Sequence, residues 1–280
     1  MANDTTSPVA APIEGPPVTG TGKKPGFRDS AGYGPIITFA SVVSLLLLWQ
    51  VGAALLPPNV FAGPLSVTQA LFTQMQTAEL WQDMGKTLQR IAFAFLLAMG
   101  VSLFLGFVMA MSRTAGLFFR VWVVLGLTVP SLVIILTIYM TVGLNETAAV
   151  FGAALPIIPI LAINIREGVS SIDLGLRDMA VAFRASRMQI IRDVIAPQIA
   201  PVLLASSRFG VGLIWKMVLF VELLGRSDGI GYKIEFYYQL FNMRMVLAYA
   251  LSFLFVMLLI EIAIFGVLER KAFGWRRGRA

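Results

Sequence analysis

Neither cysteine nor histidine occurs anywhere in the 280 residues. Their absence excludes disulfides, thiol chemistry, Cys/His metal centres and any catalytic triad that needs an imidazole. Charge is scarce as well. Asp, Glu, Lys and Arg make up 13% of the chain, where a soluble domain carries about 25%. What fills the space is apolar: 58% of residues are hydrophobic and the mean hydropathy is +0.81. A chain with so little charge and so much apolar surface reads as an integral membrane protein. No Gly-x-x-x-x-Gly-Lys-Ser/Thr loop is present; "GTGKKPG" at 20–26 has glycine and lysine without the spacing, and no buried strand precedes it. No metal-ligand cluster and no nucleophile–base pair is legible on any helix, so covalent catalysis by this chain is not expected.

Residues 1–32 are rich in Pro, Gly, Thr and Ala, lack apolar periodicity and read as a disordered cytoplasmic tail; no apolar stretch follows a basic start, as a secretory signal would require. A membrane span needs about 20 mainly apolar residues. Such runs are expected at roughly 36–56, 88–111, 118–142, 147–165, 201–224 and 245–268, the fourth carrying Pro156 and Pro159. The stretch between the first two, with Leu71, Met75, Leu80 and Trp81 set among polar residues, is too polar to span and should lie on the membrane surface or against the bundle. The expectation is an all-α polytopic membrane bundle of about six helices over 33–270, followed by a basic cytoplasmic tail at 271–280.

The formal net charge of +7 invites a nucleic-acid reading until the positions are considered. Lys23, Lys24, Arg28, Arg113, Arg120, Arg166, Arg177, Arg184, Arg187, Arg192, Arg270, Lys271, Arg276, Arg277 and Arg279 fall on one alternating set of connections. Lys86, Arg90, Arg226, Lys233 and Arg244 fall on the other. Basic residues accumulate on cytoplasmic loops, which puts both termini in the cytoplasm and makes the charge topological, with no need for nucleic acid.

One stretch of this basic side is more structured than a linker. In "RDMAVAFRASRMQIIRDVIAP", Arg177 to Pro197, Asp173 is placed to cap a first short helix over about Leu174–Phe183. Met179 and Phe183, four apart, share a face. Ser186 and Gln189 have capping-box spacing for a second helix that should end at Pro197. Apolar side chains among charges on two short surface helices suit docking into a groove of another protein; a basic loop with incidental short helices is the alternative.

The same stretch resembles the EAA loop of ABC-type importer permeases: Glu-Ala-Ala, three residues, Gly, nine residues, Ile-x-Leu-Pro. Asp178 stands at the Glu, Met179 and Ala180 at the two Ala, Val194 at the Ile and Pro197 at the Pro. Arg184 replaces the Gly and Ala196 the Leu. "TLQRIAFAFLLAMGVSLFLG", with Arg90, Gly100 and Gly106, is similar to the family's second span. "NIREGVSSID", with Asn164, Gly168 and Asp173, resembles the lead into the loop, and "VELLGRSDGIGY" the stretch after the fifth span. The combination, from about residue 60 onward, looks most like the nitrate/sulfonate/taurine-type permeases.

That resemblance implies a type I importer permease, working as a dimer of two copies in the inner membrane with two ATPase subunits and an extracytoplasmic binding protein. ATP and Mg would be held by the ATPases and no cofactor by this chain. Asp178, Met179, Ala180, Phe183, Arg184, Ser186, Arg187 and Pro197 would then dock the ATPase through the two coupling helices of about 173–197. Glycine at position 184 would allow positive φ; with Arg184 there, either the turn is helical or the guanidinium reaches an acidic group on the ATPase. The substrate could be nitrate, a sulfonate, taurine, another small organic anion or a neutral heterocycle.

Lys216 sits roughly 20 Å along the fifth span and is expensive there, at about 2.5–3.5 kcal/mol on insertion scales. Either it lines a translocation path and favours an anion, or it pairs with a carboxylate such as Glu222 of a neighbouring copy, or it snorkels through the lipid. Pro130, expected to break or kink the third span, and Glu222 are further path candidates. Glu222 has the alternative role of holding the loop that follows it. Gly100, Gly106, Gly210 and Gly212 are expected to let helices approach closely. A stand-alone secondary transporter or channel is the rival function, and a membrane scaffold a third.

Overall fold

The computed structural model describes residues 33–57 and 60–266. The N-terminal tail and the basic C-terminal tail expected from the sequence lie outside the described residues. All regular structure among the described residues is helical. In chain order the helices are α1 (Tyr33–Leu55), α2 (Pro64–Met75), α3 (Ala78–Met111), α4 (Arg113–Thr128), α5 (Ser131–Val142), α6 (Glu146–Ala154), α7 (Ile158–Ser170), α8 (Leu174–Ala182), α9 (Arg187–Gln189), α10 (Ala196–Gly225), α11 (Ile230–Gln239) and α12 (Met243–Ile260). A π-helical turn, Ile190–Ile195, joins α9 to α10, and a second, Glu261–Phe265, follows α12. Residues 33–48 are the first part of α1, a stretch apolar on every side. Residues 49–266 belong to a second compact unit.

Four helices are long and apolar enough to cross a membrane, and six spans result if each of two bent pairs counts as one. Proline stands at both bends and explains the first. The residue before a proline is driven out of the helical region: Val129 is extended, α4 stops, and α5 leaves Pro130 at 95° to it. The α6–α7 pair bends by 45° around 155–157, beside Pro156 and Pro159. The second span is longer than its apolar run, because α3 starts at Ala78 and carries Glu79, Asp83 and Lys86 ahead of it. The polar stretch before it does not spread over a surface. Pro64 opens α2 at a position where its missing N–H is harmless, Val67 and Ala70 are buried, and α2 packs on α12.

α3 and α7 form the most extensive helix pairing in this unit. A Cβ at Gly106 would lie 2.7 Å from Ile165 Cγ2, and the Ser102 hydroxyl donates to the Ile158 carbonyl at 3.0 Å. Gly168 plays the same part between α7 and α10, against Val202. Gly210 faces Leu161. Gly100 and Gly212 depart from expectation, since among the described residues no neighbouring element comes within 4 Å of a Cβ at either.

Candidate functional site

The loop between α7 and α10 is ordered by its own backbone chemistry. The Asp173 carboxylate accepts from Gly175 N–H at 2.8 Å and starts α8. α8 ends in a Schellman turn: Ala185 N–H reaches the Ala180 carbonyl at 3.0 Å and Arg184 N–H the Val181 carbonyl at 2.9 Å. The residue that must be left-handed in that motif is Arg184, and its φ is +57°. So the turn is not helical at 184; arginine occupies the conformation that glycine would take. Next comes the capping box, with Ser186 N–H donating to Gln189 Oε1 at 2.8 Å and Gln189 N–H to the Ser186 hydroxyl at 3.3 Å.

The second short helix does not end at Pro197. It runs through the π turn straight into α10, making one helical stretch over Arg187–Gly225. A proline ring clashes with the carbonyl four residues earlier in an α-helix; the wide turn ahead of Pro197, closed by Ala196 N–H on the Ile191 carbonyl, makes room for it. The loop is thus the direct foundation of the longest late helix.

Its surface is unusual for a polar loop. α8 has no buried residue. Phe183 is 82% exposed, Met188 71% and Met179 53%, with Leu176, Val181 and Ile191 also exposed. The exposed charges Arg177, Asp178, Arg184, Arg187, Arg192 and Asp193 surround them. Ala180 is half-buried, and Ser186 and Pro197 are exposed. A cleft of about 480 Å³ opens between α8 and the π turn, lined in part by Leu176, Met179, Val194 and Pro197.

The remaining candidates are dispersed. Pro130 is exposed at the α4–α5 bend. Lys216 is exposed on α10, its ammonium 5.5 Å from the centre of the Trp215 ring, with no carboxylate partner among the described residues. Glu222 is fully buried and in this conformation is shielded by its own chain from Lys216 of a neighbouring copy. Arg90 Nη1 donates to Glu222 Oε1 at 2.7 Å, the Thr87 hydroxyl and Gly231 N–H donate to Oε2 at 2.9 and 2.8 Å.

Arg90 is the residue the sequence reading passed over. Only 2% exposed, it also forks onto Glu146 at 2.8 and 2.7 Å, the Asp228 carbonyl at 3.0 Å and the Asp228 carboxylate. Arg226 adds a bond to Glu146 at 2.6 Å. Ile230 N–H donates to Thr87, and Gly229 N–H, at φ +100°, to Asp83. A Cβ at Gly229 would strike the Glu222 carboxylate. The cluster therefore staples α3, α6, α10 and the start of α11 together, roughly 39 Å along α10 from its first residue. Beside it, burial pulls the Lys233 amine down, but Glu79 and Asp83 outweigh it and hold the pKa above the usual lysine value. The signal was present: lone ionisable residues in apolar spans pair with one another, and Arg90 and Glu222 are two such residues.

An all-helical unit with bent spans and an ordered, apolar-faced loop feeding a long helix is the architecture of a polytopic membrane protein. Residues 98–273 match the family of binding-protein-dependent transport system inner membrane components, and the chain belongs to that family. It is a multi-pass permease subunit of the ABC-importer class. A probable ABC transporter permease of Brucella melitensis is 29% identical over 197 residues, 69% of this chain and 78% of that protein. The taurine transport system permease of Escherichia coli K12 is 25% identical over 246 residues, 85% and 89% of the two chains. Among solved structures, an inward-facing MetNI methionine ABC transporter matches with a TM-score of 0.51 at 18% identity, over 68% of this chain and 94% of that one. That likeness shows the fold.

Proposed function

We propose that two copies of this chain form the membrane path of an importer for a small anion. A separate binding protein delivers the anion from the extracytoplasmic side, and two ATPase subunits holding ATP and Mg drive its passage. Both termini lie in the cytoplasm in this reading, with lipid around the spans. The observation that carries it is the loop of 173–197, whose exposed Met179, Phe183 and Met188 sit on well-capped helices, ringed by charge and continuous with α10. A capped, rigid apolar face loses little entropy on docking, and a helix running from the docking point through the membrane can carry its displacement inward. Closure of the ATPases on ATP would shift the loop and with it α10, favouring one access state over the other.

Lys216 supports the anion, because an exposed cation on α10 with no carboxylate partner among the described residues has most use beside a negative solute. Relatives named for nitrate and for aliphatic sulfonates agree with that charge. The test of the docking surface is co-purification. Met179→Asp and Phe183→Asp each place a charge in an apolar contact, so the ATPase should be lost while the permease stays folded; wild-type amounts of ATPase with both variants would refute the assignment.

A further inference from the structure

We propose that Gln198 is a positioning residue of the coupling loop: its amide clasps the loop's two ends, so that displacement of α8 passes into α10. This rests on the docking reading above. Gln198 Oε1 accepts from the Asp173 N–H at 2.8 Å, and its Nε2 donates to the Val194 carbonyl at 3.0 Å. One side chain thus joins residues that stand at opposite ends of the loop. Asp173 is the N-cap of α8, its carboxylate already engaged by Gly175 N–H; Val194 lies in the π turn at the base of α10.

Other restraints on α8 are few. It buries no residue, and across the cleft it meets the π turn through Leu176 and Met179 beside Val194. The helix base it must move is also weakened in its own backbone. Pro197 and Pro201 bracket Gln198, each lacking the N–H that would hold the preceding turn, and a π turn often marks a functional site in a helix. Where backbone bonds are fewest, a two-ended side-chain bond carries more of the mechanical connection. Without it, α8 could tilt under a docked ATPase while α10 stays in place.

The test uses the assembled transporter with its ATPase, and exploits the absence of cysteine. A single reporter, Leu224→Cys, sits at the far end of α10. Its labelling rate by a maleimide is read with and without ATP, Mg and vanadate. With Gln198 present, nucleotide trapping should change that rate. In Gln198→Leu, ATPase co-purification, thermal midpoint and basal hydrolysis should stay near those of the parent, while the nucleotide response falls about ten-fold, the size of two lost hydrogen bonds. Gln198→Glu, which keeps an acceptor for Asp173 N–H, should retain part of the response. A full response in Gln198→Leu overturns the clasp. So does loss of ATPase or of thermal stability in step with the response, which would make Gln198 a merely structural residue, and so does a reporter that ignores nucleotide when Gln198 is intact. If Phe183→Asp keeps its ATPase in the same preparation, the docking reading fails; if it loses the ATPase while Gln198→Leu responds fully, the clasp alone fails.

Discussion

Arg184 at φ +57° shows how a single residue can hold a family geometry without the family's glycine. The left-handed region disfavours a Cβ by roughly 1–2 kcal/mol, while glycine gives back about 0.5–1 kcal/mol through its freer unfolded chain. Arg184→Gly should therefore leave the thermal midpoint in detergent unchanged or slightly raised, and a midpoint several degrees lower would show that the guanidinium itself stabilises the loop. Arg90 is a harsher case. Removing one member of a buried pair leaves uncompensated charge, with a penalty of about 3–5 kcal/mol. Arg90→Met should abolish most folded protein, and Arg90→Met with Glu222→Met should recover some of it, as size-exclusion profiles at matched expression would reveal. Equal loss in both would mean that the carboxylate is not what suffers. At Lys216 the expectation concerns transport. Lys216→Met should lower uptake of the binding protein's ligand about ten-fold or more and Lys216→Arg should keep part of it, charge being retained with altered shape; full uptake by Lys216→Met would make the residue lipid-facing.

Helices of this chain were readable from apolar run length, and the caps from single residues: Asp173, Ser186 with Gln189, and the break at Pro130 all stand where the sequence put them. Ends were harder. α3 extends ten residues upstream of its apolar run because Glu79, Asp83 and Thr87 are bonded by the segment 229–233, partners that no local pattern reveals. The run through Pro197 was missed for a related reason, since proline signals a stop only when the turn before it is α-helical. Glycine spacing likewise could not tell packing from exposure. Gly106 abuts Ile165 and Gly100 meets no other element among the described residues, so Gly106→Val should destabilise by about 1–3 kcal/mol through overpacking and Gly100→Val by far less. Matched thermal melts decide between them, and equal effects would contradict the α3–α7 contact.

For the whole molecule, the two polar assemblies stand at opposite ends of α10: the Arg90 cluster fixes one end internally, and the loop of 173–197 presents the other to a partner. Composition made the membrane class readable, while the cluster needed three-dimensional pairing to appear. Reporter fusions at the N-terminal tail and at Ala280 should both score as cytoplasmic; one scoring outside would mean that the number of spans is odd. The most direct test of the central claim, that this loop seats the ATPase, again uses the cysteine-free chain. Phe183→Cys on the loop and Phe241→Cys at the turn after α11 are each treated with a thiol-to-amine cross-linker in membranes containing the ATPase. Both parent residues are 82% exposed, so exposure is matched. A permease–ATPase adduct is expected from Phe183→Cys and none from Phe241→Cys; an adduct from Phe241→Cys, or none from Phe183→Cys, would contradict seating of the ATPase on this loop.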